Sequence, residues 1–343
     1  MQYPTQLKNS NSLLAKYLTP EIFEQLKNRV TSNGFTLQQA INSGVKNLDS
    51  GIGVYAGDEE SYEVFDLLFD PIIKDYHGFD KGEKHISNLN IDDLNISNPD
   101  PQNEYILSTR IRVGRNVKNM PLGPAISNDL RHKIEQDVSS VLTKFNGDLA
   151  GKYYPLNNMT KQEQQSLIKD HFLFKEGDRF LDAAGLNADW PNSRGIFHNN
   201  DKTFLVWINE EDQLRIISMQ SGANIKEVFT RLVDAVNKIE QQIAFAYNDH
   251  LGYITSCPTN LGTAMRASVH IKLPNLGKNM DQFKEIANRY NVQIRGIHGE
   301  HSNSEGGIYD ISNKRRLGVT EVQCVQDMYD GIVALIKAEK ELE

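Results

Sequence analysis

The chain has 343 residues, with 45 acidic against 37 basic side chains and a formal net charge of −8. That length exceeds one ordinary core, so a small domain plus a larger one is expected. The acidic balance argues against a nucleic-acid partner, because phosphate backbones select basic surfaces. Two cysteines, Cys257 and Cys324, cannot build a disulfide framework, which fits a reducing compartment. The N-terminal MQYPTQLKNSNSLL has no apolar core of a signal peptide and no stretch approaches 18 apolar residues, so a cytoplasmic protein with no membrane partner is expected.

The first 80 or so residues read as helices, with Thr19-Pro20-Glu21 a helix start: Thr as N-cap, Pro at the first helical position. A polar, turn-rich stretch follows at 81–103, without periodicity and carrying Asn, Asp and Pro. The expected division is a small α-helical domain over 1–85, a linker over 86–103 and a larger domain over 104–343. Beyond the linker the pattern turns to strands. In 105–113, Leu107, Ile111 and Val113 are expected on one face and Ser108, Arg110 and Arg112 on the other. The run Thr203–Ile208 is apolar on both faces, as a central strand would be, and after Glu210-Glu211-Asp212-Gln213 it restarts as LRIISMQ, an antiparallel hairpin. In 264–273, Met265, Ala267, Val269, Ile271 and Leu273 oppose Arg266, Ser268, His270 and Lys272. Apolar stripes mark helices over 225–243, capped by Asn224, and over 321–339, where Thr320 and Gln323 form a capping-box pattern. The fold class is therefore α+β: a small all-α N-terminal domain, then a mostly antiparallel sheet flanked by helices.

Three patterns are set aside. Gly51-Ile-Gly53-Val-Tyr-Ala56 matches a dinucleotide-binding glycine pattern, but a helical stretch precedes it where a strand is required. His298-Gly-Glu300-His301 lacks zinc-ligand spacing, so no protein-held metal is expected. There is no P-loop string. What remains is a set of arginines on polar strand faces: Arg110, Arg112, Arg215, Arg266 and Arg295. Singly, each reads as a solvated sheet residue; together, beside Ser, Thr, Ala and Gly, they suit a phosphate chain, which guanidinium forks bind bidentately. A second set is Glu211, Cys257 and Glu300, two carboxylates and a thiolate suited to a cation such as a guanidinium that must lose a proton before it attacks.

The strings that carry these residues are STRIRVGRN (108–116), HFLFKEGDRF (171–180), TFLVWINEEDQLRIISMQ (203–220), CPTNLGTAMRASVHIKLP (257–274) and RGIHGEHSNSEGGIYDISNKRRLG (295–318). They resemble the phosphagen (guanidino) kinases, from about residue 45 to the C-terminus. Within that family the chain is most similar to the arginine-specific members. Its Ser50-Gly51-Ile52-Gly53-Val54-Tyr55 resembles their substrate-specificity loop, Glu300 stands where creatine kinases carry an apolar residue, and Asp49 with Arg179 fits their acid–arginine pair between domains.

The resemblance implies reversible transfer of the γ-phosphoryl of MgATP to L-arginine, in line and without a phosphoenzyme, in an enzyme that is usually a monomer. It implies that Ser108, Arg110, Arg112, Arg215, Arg266 and Arg295 hold the nucleotide phosphates, with His171 and His270 against the adenosine. Glu211, Glu300 and Cys257 would hold and deprotonate the guanidinium, and the 50–55 loop with the Tyr55 hydroxyl would hold the arginine carboxylate. Mg²⁺ would ride on the phosphates, reached by Glu210 and Asp212 through water. The chain departs from arginine kinases at Ile297 and His298, where Thr and Arg are usual, which puts one phosphate donor in doubt. Three other readings stay open: a different guanidino substrate (taurocyamine, glycocyamine or creatine), a protein-arginine kinase, and an inactive nucleotide and arginine sensor.

Overall fold

The computed structural model of the protein describes residues 1–169, 172–174, 176–296 and 306–342. Side-chain caps start the N-terminal helices. Ser12, Thr19 and Thr36 each accept the N–H three residues on, opening α1 (Leu13–Tyr17), α2 (Pro20–Leu26) and α3 (Leu37–Lys46). Two more helices, α4 (Ser61–Val64) and α5 (Asp66–His77), complete this half, and Gly78 stops α5 in the left-handed conformation. Leu14, Phe23, Leu26, Leu37, Ile41, Phe65, Phe69 and Ile72 bury their side chains in one core, which also takes in Leu122, Leu251, Ile254, Leu261 and Leu317 from later in the chain. The helical half is thus seated on the rest through shared apolar surface.

Residues 81–103 carry one 3₁₀ turn (Ile91–Asp93) and lie along the larger half. Leu94 is buried there, Leu89, Ile91 and Ile96 pack against the larger core, and Glu321 accepts from Ser87 Oγ and the Asn88 N–H.

The strands are β1 (Ile106–Arg115), β2 (Gly151–Pro155), β3 (Gly195–Asn199), β4 (Phe204–Ile208), β5 (Leu214–Ser221), the short ribbon β6 (Tyr247–Asn248) and β7 (Gly252–Tyr253), β8 (Met265–Lys272), β9 (Val292–Arg295) and β10 (Ile308–Asn313). Eight form one antiparallel sheet in the order β2-β3-β4-β5-β1-β8-β10-β9. The remaining helices are α6 (Asn128–Leu142), α7 (Lys161–Lys169), α8 (Arg179–Ala183), α9 (Ile225–Glu240), α10 (Met280–Arg289) and α11 (Glu321–Lys340). The apolar stripes of α9 and α11 cover one sheet face, where Ile111, Val113, Ile216, Met265, Ala267 and Val269 are fully or almost fully buried. The opposite face carries the arginines.

Strand β4 is buried along its whole length: Phe204, Val206 and Ile208 face the main core, while Leu205 and Trp207 enter a second cluster with Leu173 and Phe174. Two expectations are corrected. Leu107 is 45% exposed and Ile106 takes the core position, because the register against β8 shifts between Ile106 and Ser108 and inserts one residue into the alternation. At α11, Thr320 accepts the Gln323 N–H, but the Gln323 side chain donates to Asp327 instead of closing the box. A reciprocal capping box does form at Thr36 and Gln39.

Candidate active site

Alternation on β1 and β8 sends Ser108, Arg110 and Arg112, and Arg266, Ser268 and His270, to the face away from the helices. The register sets Arg112 directly opposite Arg266 and places Arg215 of β5 opposite Gly114. At the far side of the sheet, Asp310 faces His270 across one ladder and Arg295 across the other. Like charges opposite one another destabilise a bare sheet. Arg110 has Nε and Nη2 buried without a partner among the described residues, and its guanidinium lies 5.6 Å from the Trp207 ring. Burial, with Arg215 and Arg266 adding repulsion, lowers the Arg110 pKa to about 10. Burial and the same neighbours push Arg112 down as well. A face of crowded guanidiniums, with Arg110 lacking partners for two nitrogens among the described residues, suits a polyanion.

Carboxylates sit at one end of this face. The β4–β5 hairpin turns through Asn209, whose φ of 58° suits a residue tolerant of the left-handed region, and its N–H closes the turn on the Gln213 carbonyl. Glu210 and Glu211 leave the turn toward Arg215, with oxygens 3.0 Å from its Nη2. Burial opposes the Arg215 charge, but Glu210, Glu211 and Asp212 more than offset it and leave its pKa raised. Burial outweighs Arg215 at Glu211, whose carboxyl is pushed up to about 7. Asp212 accepts from Asn116 and from the Ser256 N–H. Among the described residues no three metal-ligating side chains converge, and the Glu210, Asp212 pair offers oxygens suited to the hydration shell of a cation held mainly by phosphates.

Cys257 lies in the loop between β7 and β8, packed with Tyr55, Ala184 and Leu186. Its Sγ is 3.1 Å from Thr259 Oγ1, and Asn260 Nδ2 donates to Glu211 at 3.3 Å, so the loop and the hairpin meet. Burial, reinforced by Glu211, pushes the Cys257 thiol up to about 12. The thiolate expected from sequence would have to be stabilised against this burial by a cation beside it.

The 50–55 segment approaches from the helical half. Leu13 and Leu14 donate to the carbonyls of Gly51 and Ile52, and Gly44 donates to that of Gly53. The N–H groups of Gly51, Ile52 and Gly53 donate to no described residue, which leaves a row of backbone donors of the kind that captures a carboxylate. Gly53 has φ 83°, and a Cβ on Gly44 would stand 2.6 Å from its Cα, so both glycines are required by this contact. Arg179 forks onto Asp49, with Nη1 2.8 Å from Oδ1, while Asn42, Ser43 and Asn47 donate to the α8 carbonyls of Ala183, Phe180 and Arg179, and Asn47 Oδ1 accepts from Arg179.

The structure therefore brings together Ser108, Arg110, Arg112, Arg215, Arg266, His270 and Arg295 on one face, and Glu211, Cys257 and Tyr55 at its end. His171 and Glu300, with Ile297 and His298, lie outside the described residues. Four residues inside the quoted strings were given no role from sequence. Asp310 binds Arg266 at 2.6 Å and faces His270; Trp207 underlies two guanidiniums; Arg316 donates to Asn260; Asn260 touches Glu211. Alternation on β10 would have placed Asp310 on the arginine face. Nothing in the linear pattern pointed to Asn260 or Arg316.

Both halves of the chain are similar to known proteins. Residues 8–74 match the family described as ATP:guanido phosphotransferase, N-terminal domain, and residues 133–342 match its C-terminal catalytic domain. Arginine kinase from Anthopleura japonica is 58% identical over 337 residues, 97% of this chain and 47% of that protein, so the chain spans about half of that relative. Arginine kinase Lit v 2 from Penaeus vannamei is 56% identical over 96% of this chain and 93% of its own length. A duplicated taurocyamine kinase from Schistosoma mansoni with bound transition state analog components superposes with a TM-score of 0.92 at 41% identity, covering 99% of this chain and 49% of that one. A lombricine kinase crystal structure gives 0.91 at 38%, covering 98% and 94%. With both domains matched and identity above one half along nearly its whole length, the chain belongs to the ATP:guanido phosphotransferase family.

Proposed function

We propose that this protein reversibly transfers the γ-phosphoryl of MgATP to the guanidino group of L-arginine, giving phosphoarginine and ADP. The observation that carries the reading is the junction of two chemistries: a face of crowded arginines ends at a raised-pKa carboxylate, a thiol and a row of free backbone N–H groups. Arginine is favoured over taurocyamine or lombricine because the relatives named for it are 55–58% identical, against 38–41% for the other two.

In this reading Arg110, Arg112, Arg215, Arg266 and Arg295, with Ser108, would hold the phosphate chain, Mg²⁺ would ride on the phosphates and be reached by Glu210 and Asp212 through water, and His270 and His171 would flank the adenosine. Glu211 and Glu300 pair with the guanidinium. One carboxylate accepts its proton as the nitrogen forms a bond to the γ-phosphorus and the bond to the ADP oxygen breaks. Cys257 orients the reacting nitrogen, and the 51–53 N–H groups with Tyr55 hold the carboxylate of arginine. The chain's work is alignment of two charged substrates with water excluded. Residues 1–85, 86–103 and 104–343 are the proposed small domain, linker and catalytic domain of a cytoplasmic monomer. The described residues contain no helix long and apolar enough to cross a membrane.

The test is a coupled ADP-release assay with MgATP against arginine, taurocyamine, lombricine, glycocyamine and creatine. Turnover with arginine alone supports the assignment. Turnover with another guanidine keeps the mechanism and overturns the substrate, and nucleotide binding without any turnover favours the sensor reading.

A further inference from the structure

The loop that carries Cys257 is held from the helical half, carbonyl by carbonyl. Tyr62 Oη donates to the Thr255 carbonyl at 2.7 Å, the Ala56 N–H to the Ser256 carbonyl at 2.8 Å, and His77 Nε2 lies 2.8 Å from the Pro258 carbonyl. A carbonyl only accepts, so the His77 ring carries its proton on Nε2. Burial pushes the pKa of this imidazole down to about 4, which keeps it neutral. From the other half, Asp212 accepts the Ser256 N–H, Glu211 accepts from Asn260, and Arg316 donates to the Thr259 carbonyl and to Asn260 Oδ1. Cys257 therefore sits in a strip clamped on two sides. His77 is the last residue of α5, which packs directly on the 3₁₀ turn Pro258–Asn260.

We infer that His77 is a positioning residue: by fixing the Pro258 carbonyl it sets the Cys257 thiol against the guanidino substrate, while taking no part in nucleotide binding. The guanidino substrate and the nucleotide in this inference rest on the function proposed above; the hold on the Pro258 carbonyl rests on geometry alone. A displaced loop would leave the arginines on their strands, because Arg110, Arg112, Arg215 and Arg266 are placed by the β1–β5 and β1–β8 ladders. It would move the thiol relative to Glu211, and misplacement by about 1 Å is enough to cost roughly a hundredfold in rate.

The full-length protein tests this as wild type, His77→Ala and His77→Gln, the last retaining an N–H donor at a similar reach. Alkylation by iodoacetamide, read by peptide mapping, reports the loop without requiring activity. Cys257 should react at least about tenfold faster in His77→Ala, Cys324 at its wild-type rate, and His77→Gln close to wild type. Kinetics should show a fall of about tenfold or more in kcat/KM for arginine in His77→Ala, largely restored in His77→Gln, with MgADP affinity within about twofold in all three. Unchanged Cys257 alkylation in His77→Ala overturns the inference. So does an equal loss of MgADP affinity, or a His77→Gln variant as impaired as His77→Ala. Thermal melts set aside unfolding, which would expose Cys324 as well. A wild type that turns over no guanidine sinks the function proposed above, and alkylation still decides the positioning role.

Discussion

Arg112 and Arg266 face each other across a ladder, and Arg110 lies one pleat away with two buried nitrogens that find no partner among the described residues. Such a cluster costs stability when empty and recovers it when an anion arrives, so affinity and strain have one origin. Glu211 is the counterpart: burial holds its carboxyl near 7 although Arg215 pulls the other way. A base must be deprotonated to act, so a carboxyl raised in this way is half-competent near neutrality and idle well below it. The kcat of the forward reaction should rise with pH through about 7. Glu211→Gln should lower kcat by roughly 10²–10⁴ and abolish that limb, measured as initial rates from pH 5.5 to 8.5. A limb that survives the substitution assigns it to another group. The Cys257 thiol, held up to about 12 by burial and by Glu211, should ionise more readily once a guanidinium sits beside it. These perturbations were invisible in sequence, since they come from burial and from neighbours distant in the chain.

The elements place this chemistry through a few close contacts. Helix α3 presses Gly44 onto Gly53 and so shapes the 50–55 loop. Gly44→Ala puts a methyl 2.6 Å from backbone that is fixed on both sides, and overpacking of this kind costs about 1–3 kcal/mol. The expected result is a KM for arginine raised about tenfold or more, with the KM for MgATP little changed, since the arginines stand on the sheet strands and not on α3. An equal rise in both would mean that the loop is not a guanidino-side element. At this scale much was legible in the sequence. The periodicity of β8, the stripe of α9 and the two-faced apolar run of β4 all follow from side-chain period and burial. The failures were local: Leu107 broke alternation because a bulge is a property of two strands, and Gln323 chose Asp327 because that carboxylate lies one helical turn away. Glu211 and Cys257 were found through their strings, whereas Asn260 and Arg316 show a role only once the 258–260 turn is folded beside the hairpin.

Across the whole molecule, Arg115 and Glu321 are a fully buried pair 3.9 Å apart, with the guanidinium 3.4 Å from the Tyr253 ring. Glu321 also accepts from Ser87 and Asn88, so one carboxylate joins the 81–103 segment, β1 and α11. Removing it leaves a buried cation uncompensated. Glu321→Ala should lose about 3–5 kcal/mol of stability by denaturant melt while keeping wild-type kcat per folded molecule. Saturating MgADP should raise the melting temperature of the wild type, with about 2.7 kcal/mol gained at one hundred times its Kd. The strand order has a consequence of another kind. Arg112 meets Arg266 across one ladder and β1 meets β5 across another, so the partners of Arg110 and Arg112 on both sides of β1 come from more than 100 residues further along the chain. Such pairings form late, because long loops must close before any contact rewards them. A refolding chain should carry its helices long before it can recognise a nucleotide. Nucleotide capture in a stopped-flow refolding experiment would then keep time for the last stage of assembly, and the cell would hold no half-made form that competes for ATP.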